Sequence, residues 1–368
     1  MKRLWILAAV VAWTNGAAVS QVTTFHSPAT PPSRPALAGQ AGHTGLGPAG
    51  IEAVDAVLWD QTDFDFLRSW ADQVFTDLPA FSIFQVADIS TGGDTWNVNN
   101  VSTYFGLGGP GAWSPAEITS ANLQVFAKTG TLPDDALDLA PEYTVPITLE
   151  LDVFFWKVTA DTSGIPELQC ISGDFWIGLT PITDFATVGQ EYHWAVPVVG
   201  GESAVRNPGG ALGFGTDWVE LSVLDTTGVG PPYDGAITLE GEVLSETWAD
   251  LGPGTGLVSS FWGDTPLATG SGISCAGSTV TVSAVHAGPP FAGTTLVVGF
   301  SAIHAPFKGG TLVPNPDLLI PVPTFANGDT TLPVVWPSGI PAGITFSMQF
   351  WQNEPPWSAT NALQVTSQ

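Results

Sequence analysis

The sequence predicts an all-β protein: two tandem β-sandwich, jelly-roll-like domains behind a signal peptide and a disordered leader. Three observations carry that expectation. In Tyr143–Thr159, Val145, Ile147, Leu149, Leu151, Val153 and Phe155 are apolar, while Thr148, Glu150 and Asp152 between them are polar. This is the period of two of a strand with one buried face, and a helix would draw Glu150 and Asp152 into its apolar set. Glycine (42) and proline (31) are frequent, yet charged residues are only 11% and hydrophobic residues reach 44%. Such a chain has many turns and enough apolar surface to bury a core. Turn signals also recur about every 8–15 residues, the spacing of sandwiches and barrels.

At 368 residues, two domains are the natural expectation. Residues 1–20 carry Lys2 and Arg3, then the apolar run Leu4–Trp13, then Gly16, Ala17, Ala18 and Ser20. That is the order of a secretory signal, too short to remain as a membrane anchor. Residues 21–50 hold Pro28, Pro31, Pro32, Pro35 and Pro48 among glycines and read as a flexible leader.

The large domain spans 51–248. Its opening, A-V-L-W-D-Q at 56–61, reads as a strand, with a short helix through Ile51, Val54, Val57 and Leu58 as the competing reading. Ser69–Phe75, Phe84–Ser90 and Trp96–Phe105 follow, with a turn at Gly92–Asp94. Trp96 and Val98 share one phase and Val101, Thr103 and Phe105 the other, which calls for a bulge between them. After a Gly/Pro loop at Gly106–Pro115 come Ala121–Lys128 and the Tyr143–Thr159 strand. Its phase shifts at Phe154–Trp156, so a bend or bulge is expected there, with Trp156 and Val158 turned inward. Phe175–Leu179, Glu191–Val199, Trp218–Leu224 and Ile237–Leu244 complete the set, with Val219, Leu221, Val223, Ile237, Leu239 and Val243 facing in. Residues 249–256 (A-D-L-G-P-G-T-G) form a linker. The small domain, 257–368, has strand candidates at Val258–Trp262, Thr279–Val285, Thr295–Phe300, Asp317–Pro321, Thr330–Val335, Thr345–Trp351 and Ala362–Thr366.

The net charge of −26 restricts partners. The basic residues are Lys2, Arg3, Arg34, Arg68, Lys128, Lys157, Arg206 and Lys308, and no two beyond the signal are neighbours. Nucleic acid and anionic membranes need clusters of such residues. The acidic excess keeps molecules apart or binds cations. Asp60, Asp63 and Asp65 are the candidate Ca²⁺ ligands, since Ca²⁺ accepts six to eight oxygens in flexible geometry. Asp134, Asp135 and Asp138 form a weaker second group. Their spacing is not that of an EF-hand, and solvated loop acids are the plain alternative.

No G-x-S-x-G, H-E-x-x-H, Walker A or dinucleotide fingerprint occurs. His193, His286 and His304 are isolated in sequence and read as turn or surface residues, with a triad left open because its members meet only in space, and with Cys170 and Cys275 they make a poor zinc set. Thirty-four acids offer too many carboxylate pairs to single out a glycosidase. Of 15 tryptophans, Trp113 and Trp357 sit in loops, where a ring can stack on a sugar or anchor the loop. Export permits a Cys170–Cys275 bridge, but each cysteine also lies where a small buried hydrophobe fits. The balance favours two separate thiols.

Two resemblances add to this reading. V-L-W-D-Q (57–61), D-F-W-I-G-L (174–179), N-P-G-G (207–210) and T-D-W (216–218) resemble a family of exported bacterial proteins. There a ΦLYDQ strand opens a jelly-roll-like sandwich, an AADDF motif follows, and a late YWΦGΦ strand closes its first half. Trp59 and Phe175 stand here for the tyrosines, and the middle motif is reduced to V-A-D-I-S (86–90) or A-D-Q-V-F (71–75). More specifically, V-G-F-S-A-I-H-A-P-F-K-G-G-T-L-V-P-N-P-D-L-L-I-P-V-P (298–323) resembles a C-terminal domain shared by exported planctomycete-type proteins. W-P-S-G-I-P-A-G (336–343), M-Q-F-W (348–351) and S-A-T-N-A-L (358–363) agree with it. That domain recurs behind unrelated N-terminal parts, which implies a shared attachment or sorting role.

The resulting expectation is a secreted or cell-surface, non-catalytic structural or interaction protein. Its partners are expected in the cell envelope or extracellular matrix, glycans among them, with no membrane insertion once the signal is removed. A glycan-binding module is the first alternative and a glycosidase or esterase the second. The Ca²⁺ assignment makes a direct prediction. Ca²⁺ at a hundredfold its dissociation constant should stabilise the fold by about 2.7 kcal/mol, read as a rise in thermal midpoint. Asp63→Ala should abolish the rise, and an unchanged wild-type midpoint refutes the site.

Overall fold

The computed structural model describes residues 55–64, 69–106, 118–137, 142–151, 155–189, 192–197, 201–224, 233–252, 261–355 and 357–368. The expected signal peptide, the leader, most of the Gly/Pro loop and residues 253–256 of the linker lie outside them. The chain is all-β, built from several sheets, with no helix among the described residues long and apolar enough to cross a membrane. It divides between Val243 and Leu244 into two compact units.

The first unit contains β1 (Ala56–Gln61), β2 (Ser69–Ala71), β3 (Val74–Phe75), β4 (Phe84–Gly106), β5 (Ser120–Ala127), β6 (Tyr143–Leu151) and β7 (Phe155–Asp161). β8 (Ile171–Thr183), β9 (Tyr192–Pro197), β10 (Ala204–Arg206), β11 (Val219–Glu220), β12 (Tyr233–Gly235) and β13 (Ile237–Leu244) follow. The first strand is therefore a strand, not the competing helix. Pairing runs β1-β13-β4-β7-β6-β5-β8-β3, and β8 also pairs with β4, so hydrogen bonding returns to the strand it left.

The 23-residue β4 makes that circuit. Ala87–Trp96 pairs with β8, and Asn100–Gly106 pairs with β7. Between Ser90 and Thr95 the register jumps, with Gly92 and Gly93 at φ 66° and 98° where the turn was expected. Those backbone angles are open to glycine at little cost. The second irregularity falls at Asn99 and Asn100, whose side-chain amides both donate to Asp55 (2.7 and 3.0 Å). It lets Trp96 and Val98 share one core with Val101 and Phe105, although the two sets differ in phase. Leu123, Val125, Val158, Ile177, Leu179 and Leu239 fill the same core.

Several expectations are corrected. Tyr143–Thr159 is not one bent strand but a hairpin of β6 and β7, pairing Ile147 with Ala160 and Leu151 with Trp156. Residues 152–154, Val153 included, lie outside the described set. The register sets odd positions of β6 opposite even positions of β7, and residues directly opposite share a face. Chain reversal thus produces the phase shift that a bend or bulge was expected to explain. Trp156 and Val158 do point inward. Trp218–Leu224 gives only the two-residue β11 before a 3-10 turn at Leu221–Leu224, which buries Leu221. Val243 is exposed, because β13 has passed the core by then. Both Cys170 and Cys275 are disulfide-bonded, which overturns the expectation of two separate thiols.

The second unit contains β14 (Ala249–Asp250), β15 (Leu267–Ser271), β16 (Thr279–Val285), β17 (Gly293–Gly299) and β18 (Ala302–Phe307). It continues with β19 (Gly310–Pro314), β20 (Leu318–Pro323), β21 (Thr330–Val335), β22 (Thr345–Gln352) and β23 (Leu363–Thr366). Ala249–Asp250, expected in the linker, pairs with β23, and Phe261–Trp262, expected as a strand end, lies in a turn. Sheets β14-β23-β22-β17-β20 and β15-β16-β21 enclose one core, with Val280, Val282 and Ala284 against Leu296, Phe346, Met348, Phe350 and Val365. Strands β18 and β19 make a separate hairpin. Pro321 and Pro323 lie on the edge strand β20 and Pro333 on the edge strand β21.

Close backbone approach at β8 yields a stability prediction. A Cβ on Gly178 would stand 2.1 Å from the carbonyl oxygen of Gln85 in β4. Gly178→Ala should therefore cost at least about 1–3 kcal/mol. Gly164→Ala, which meets nothing within 4 Å, should stay within about 0.5 kcal/mol. Urea denaturation of the two variants checks the contrast.

Candidate functional site

Two groups of side chains have the chemistry of a candidate site, one in each unit. The first is buried. β2 pairs with β9 and sets Trp70 opposite His193, which brings Asp72, just past β2, to the imidazole. His193 Nδ1 lies 3.1 Å from Asp72 Oδ2, and Nε2 lies 2.7 Å from the Ala236 carbonyl oxygen. A carbonyl only accepts, so Nε2 carries a hydrogen, and the Asp72 contact holds one further proton between carboxyl and ring. Thr180 Oγ1 (2.7 Å) and the Gln85 amide (3.1 Å) both donate to Asp72 Oδ1. Burial pushes the Asp72 carboxyl up, and the bonds from His193 and Thr180 oppose that rise.

Beside it, Ser203 donates to Asp234, and the Gly235 amide reaches both Asp234 Oδ1 (2.9 Å) and Ser203 Oγ (2.8 Å). Desolvation drives the Asp234 carboxyl well above its ordinary range, and the charge of Asp88 adds to the effect. Asp88 itself is held by Lys128 (2.5 Å) and the Gly201 amide (2.8 Å). The arrangement contains a His–Asp pair and a serine, but Ser203 bonds to Asp234, not to His193. Both ring nitrogens of His193 are engaged, and Asp72, Ser203, Asp234 and His193 are all buried. It is a buried polar core between β2, β4, β9 and β12, in which Asp234 Oδ2, Asp88 Oδ1 and the side-chain amide of Gln85 have no hydrogen-bond partner among the described residues.

The second group is exposed, at one end of the C-terminal sandwich. The register fixes that end: Gly293 opens β17 opposite Pro323, which closes β20, and Thr294 lies opposite Gln352, which closes β22. Loops 286–292, 324–329 and 353–358 therefore leave together. The Phe291 amide donates to the Phe325 carbonyl (3.3 Å), and the Gly288 amide to the Gly328 carbonyl (3.4 Å). Trp262 joins them by donating Nε1–H to the Gly288 carbonyl (2.9 Å). Its ring stacks on His286 at 4.6 Å and 11°, and Phe261 meets it edge-on at 4.8 Å. His286 Nδ1 donates to Asp264 (2.7 Å), and the His286 amide donates to Asp329 (2.9 Å). Three phenylalanines stand out from this frame, Phe261 58%, Phe291 79% and Phe325 56% exposed. Phe291 also has φ 57°, a conformation that bulky side chains rarely take.

The residues singled out from sequence fall elsewhere or only partly here. Asp60 is exposed on β1 and accepts a hydrogen bond from Thr62 (2.5 Å), and Asp63 is exposed beyond it. Asp65, Asp138 and Trp113 lie outside the described residues. Among the described residues no three His, Cys, Asp or Glu side chains gather to hold a metal ion. Asp134 caps the 3-10 turn at Ala136 (2.9 Å). Asp135 takes both 2.8 Å bonds of Arg206 Nη1 and the Trp218 indole N–H (3.0 Å), so it is committed to structure. Trp357 does reach the aromatic end, in loop 353–358, but Lys308 Nζ covers its ring at 3.9 Å. His304 is exposed on β18.

Fold and site together define an all-β protein with three exposed phenylalanines on loops at one end of its C-terminal sandwich. No protein-family model matches this chain, and no curated protein does. Among solved structures there is a likeness to the crystal structure of Bacteroides uniformis beta-glucuronidase at 9% identity. It covers 82% of this chain and 29% of that one with a TM-score of 0.14, so this chain spans under a third of that enzyme's length. A likeness so slight carries no argument about fold or function.

The buried carboxyl of Asp234 sets a pH dependence. Its folded pKa is raised, so its contribution to stability is full below about pH 4, the unfolded range, and is lost as pH rises through the folded value. Asp234→Asn keeps an acceptor for Ser203 and Gly235 and cannot ionise. Wild type should therefore lose stability relative to the variant as pH rises from about 4 to 8, with a slope of up to about 1.4 kcal/mol per pH unit. Thermal melts of both proteins across that range check the sign.

Proposed function

We propose that this chain is an exported, non-catalytic interaction protein of the cell surface or extracellular matrix, with its C-terminal unit as the attachment module. The observation that carries the reading is the set of three exposed phenylalanines, Phe261, Phe291 and Phe325, on loops pinned to one another. Large apolar side chains grouped on a rigid frame mark contact surfaces, whereas scattered ones need no explanation. The buried polar group supports the non-catalytic side of the reading. His193 has no nitrogen left to act as a base, and Ser203 is turned to a carboxyl. The basic residues favour the same partners. Lys128, Lys157 and Arg206 are spent on Asp88, Glu240 and Asp135, and Lys308 lies over Trp357.

Retention of the full-length protein on envelope and matrix fractions of the producing organism tests the proposal. Wild type should be retained, and the combined Phe261→Ala, Phe291→Ala, Phe325→Ala variant should lose at least about tenfold, the effect of 1.4 kcal/mol. These side chains are exposed, so the variant should fold. Unchanged retention in the variant, or turnover of chromogenic glycosides or esters by wild type, overturns the reading.

A further inference from the structure

We infer that the aromatic loop end of the C-terminal unit binds an uncharged polysaccharide, with Phe291 and Phe325 as the stacking platforms and Asp264, Asn327 and Asp329 as hydroxyl partners. The inference rests on the attachment reading above and names the ligand of that same surface. Three observations lead to it. The first is the state of the rings. Trp262 is committed, with one face on His286 and Phe261 against it, so it serves as the anchor. Phe291 and Phe325, joined through their backbones, leave their rings to solvent. A sugar offers a face of C–H groups that suits such a ring, and its hydroxyls at the rim remain to be satisfied.

The second observation is what surrounds the rings. Asp264 is 52% exposed beside the Trp262–His286 stack. Asp329 accepts from the His286 amide and from Asn327 Nδ2 (2.5 Å), and carboxylate oxygens have lone pairs beyond those bonds. Carboxylates take hydroxyl hydrogens in strong, charge-assisted bonds, which is what a neutral sugar presents. The same carboxylates oppose insertion into a bilayer, where a charge beside the apolar wedge must be desolvated. The third observation is electrostatic. His286 already faces Asp264, Lys308 is engaged over the Trp357 ring, and the chain carries a net charge of −26. Uronate-rich or sulfated polymers, anionic lipid and a second copy of this chain are repelled. Phe291, held out in a left-handed backbone, fits a residue placed for contact.

Native affinity electrophoresis of the full-length protein through gels containing hydroxyethyl cellulose, laminarin, mannan or soluble starch tests the inference. Parallel gels contain alginate or polygalacturonate, and phosphatidylcholine vesicles are tested by co-sedimentation. At least one neutral polymer should retard the wild type. Phe291→Ala combined with Phe325→Ala should weaken that retardation at least tenfold, and Leu319→Ala, an equally exposed apolar residue on β20, should leave it unchanged. Melting curves of each variant show that the fold is kept. Retardation by the acidic polymers alone, sedimentation with vesicles alone, or equal loss in Leu319→Ala overturns the inference. Retention on envelope fractions with no retardation by any neutral polymer overturns the ligand class and leaves the attachment reading standing. Failure of both removes both.

Discussion

The double pairing of β4 is the constraint on which the N-terminal unit depends. One strand gives its first half to β8 and its second half to β7, and the path through β6 and β5 returns to it. Such a strand must change direction, and it does so at Gly92–Gly93, where the register with β8 jumps, and again at Asn99–Asn100, where the buried side chains change phase. The glycines supply backbone angles that other residues reach only at a cost. At the asparagines, Asp55 accepts a side-chain amide hydrogen from each. Everything packed inside, from Leu123 to Leu239, lies where it does because β4 faces the core on both sides of these breaks.

The strand content was legible in the sequence because alternation is local. Ala56–Gln61, Thr279–Val285, Thr330–Val335 and Ile237–Leu244 match the observed elements end to end. What alternation does not report is whether a phase shift is a bulge or a reversal. At Phe154–Trp156 it was a reversal, and at Val98–Val101 an irregularity within a single strand. Both give the same local pattern, and only the partner across the sheet distinguishes them. Strands β15, β18 and β19 escaped notice because L-A-T-G-S is short and A-I-H-A-P-F and G-T-L-V-P hold proline or glycine, which weaken the strand signal.

The surface site was less legible, for a different reason. The sequence points to loop tryptophans, and Trp357 does sit at the relevant end, yet the rings left to solvent belong to phenylalanine. Their contexts, G-P-P-F-A-G and T-F-A-N-G-D, are turn sequences with an aromatic at the centre, a signal as strong as the one around Trp113. The interior polar group left no sequence trace at all. Asp72, His193 and Asp234 are separated by more than a hundred or by forty-one positions, and only the pairing of β2, β9 and β12 makes them neighbours.

The prolines on the outer strands of the C-terminal sandwich have a consequence for how many copies can share a small space. Pro321, Pro323 and Pro333 each remove an amide hydrogen from a sheet margin that would otherwise be a template for the next molecule. Fibril growth needs an unbroken row of donors and acceptors, and these margins do not provide one. With strong mutual repulsion between acidic surfaces, the molecules tolerate crowding. Copies brought close together are therefore not joined through these two sheet margins.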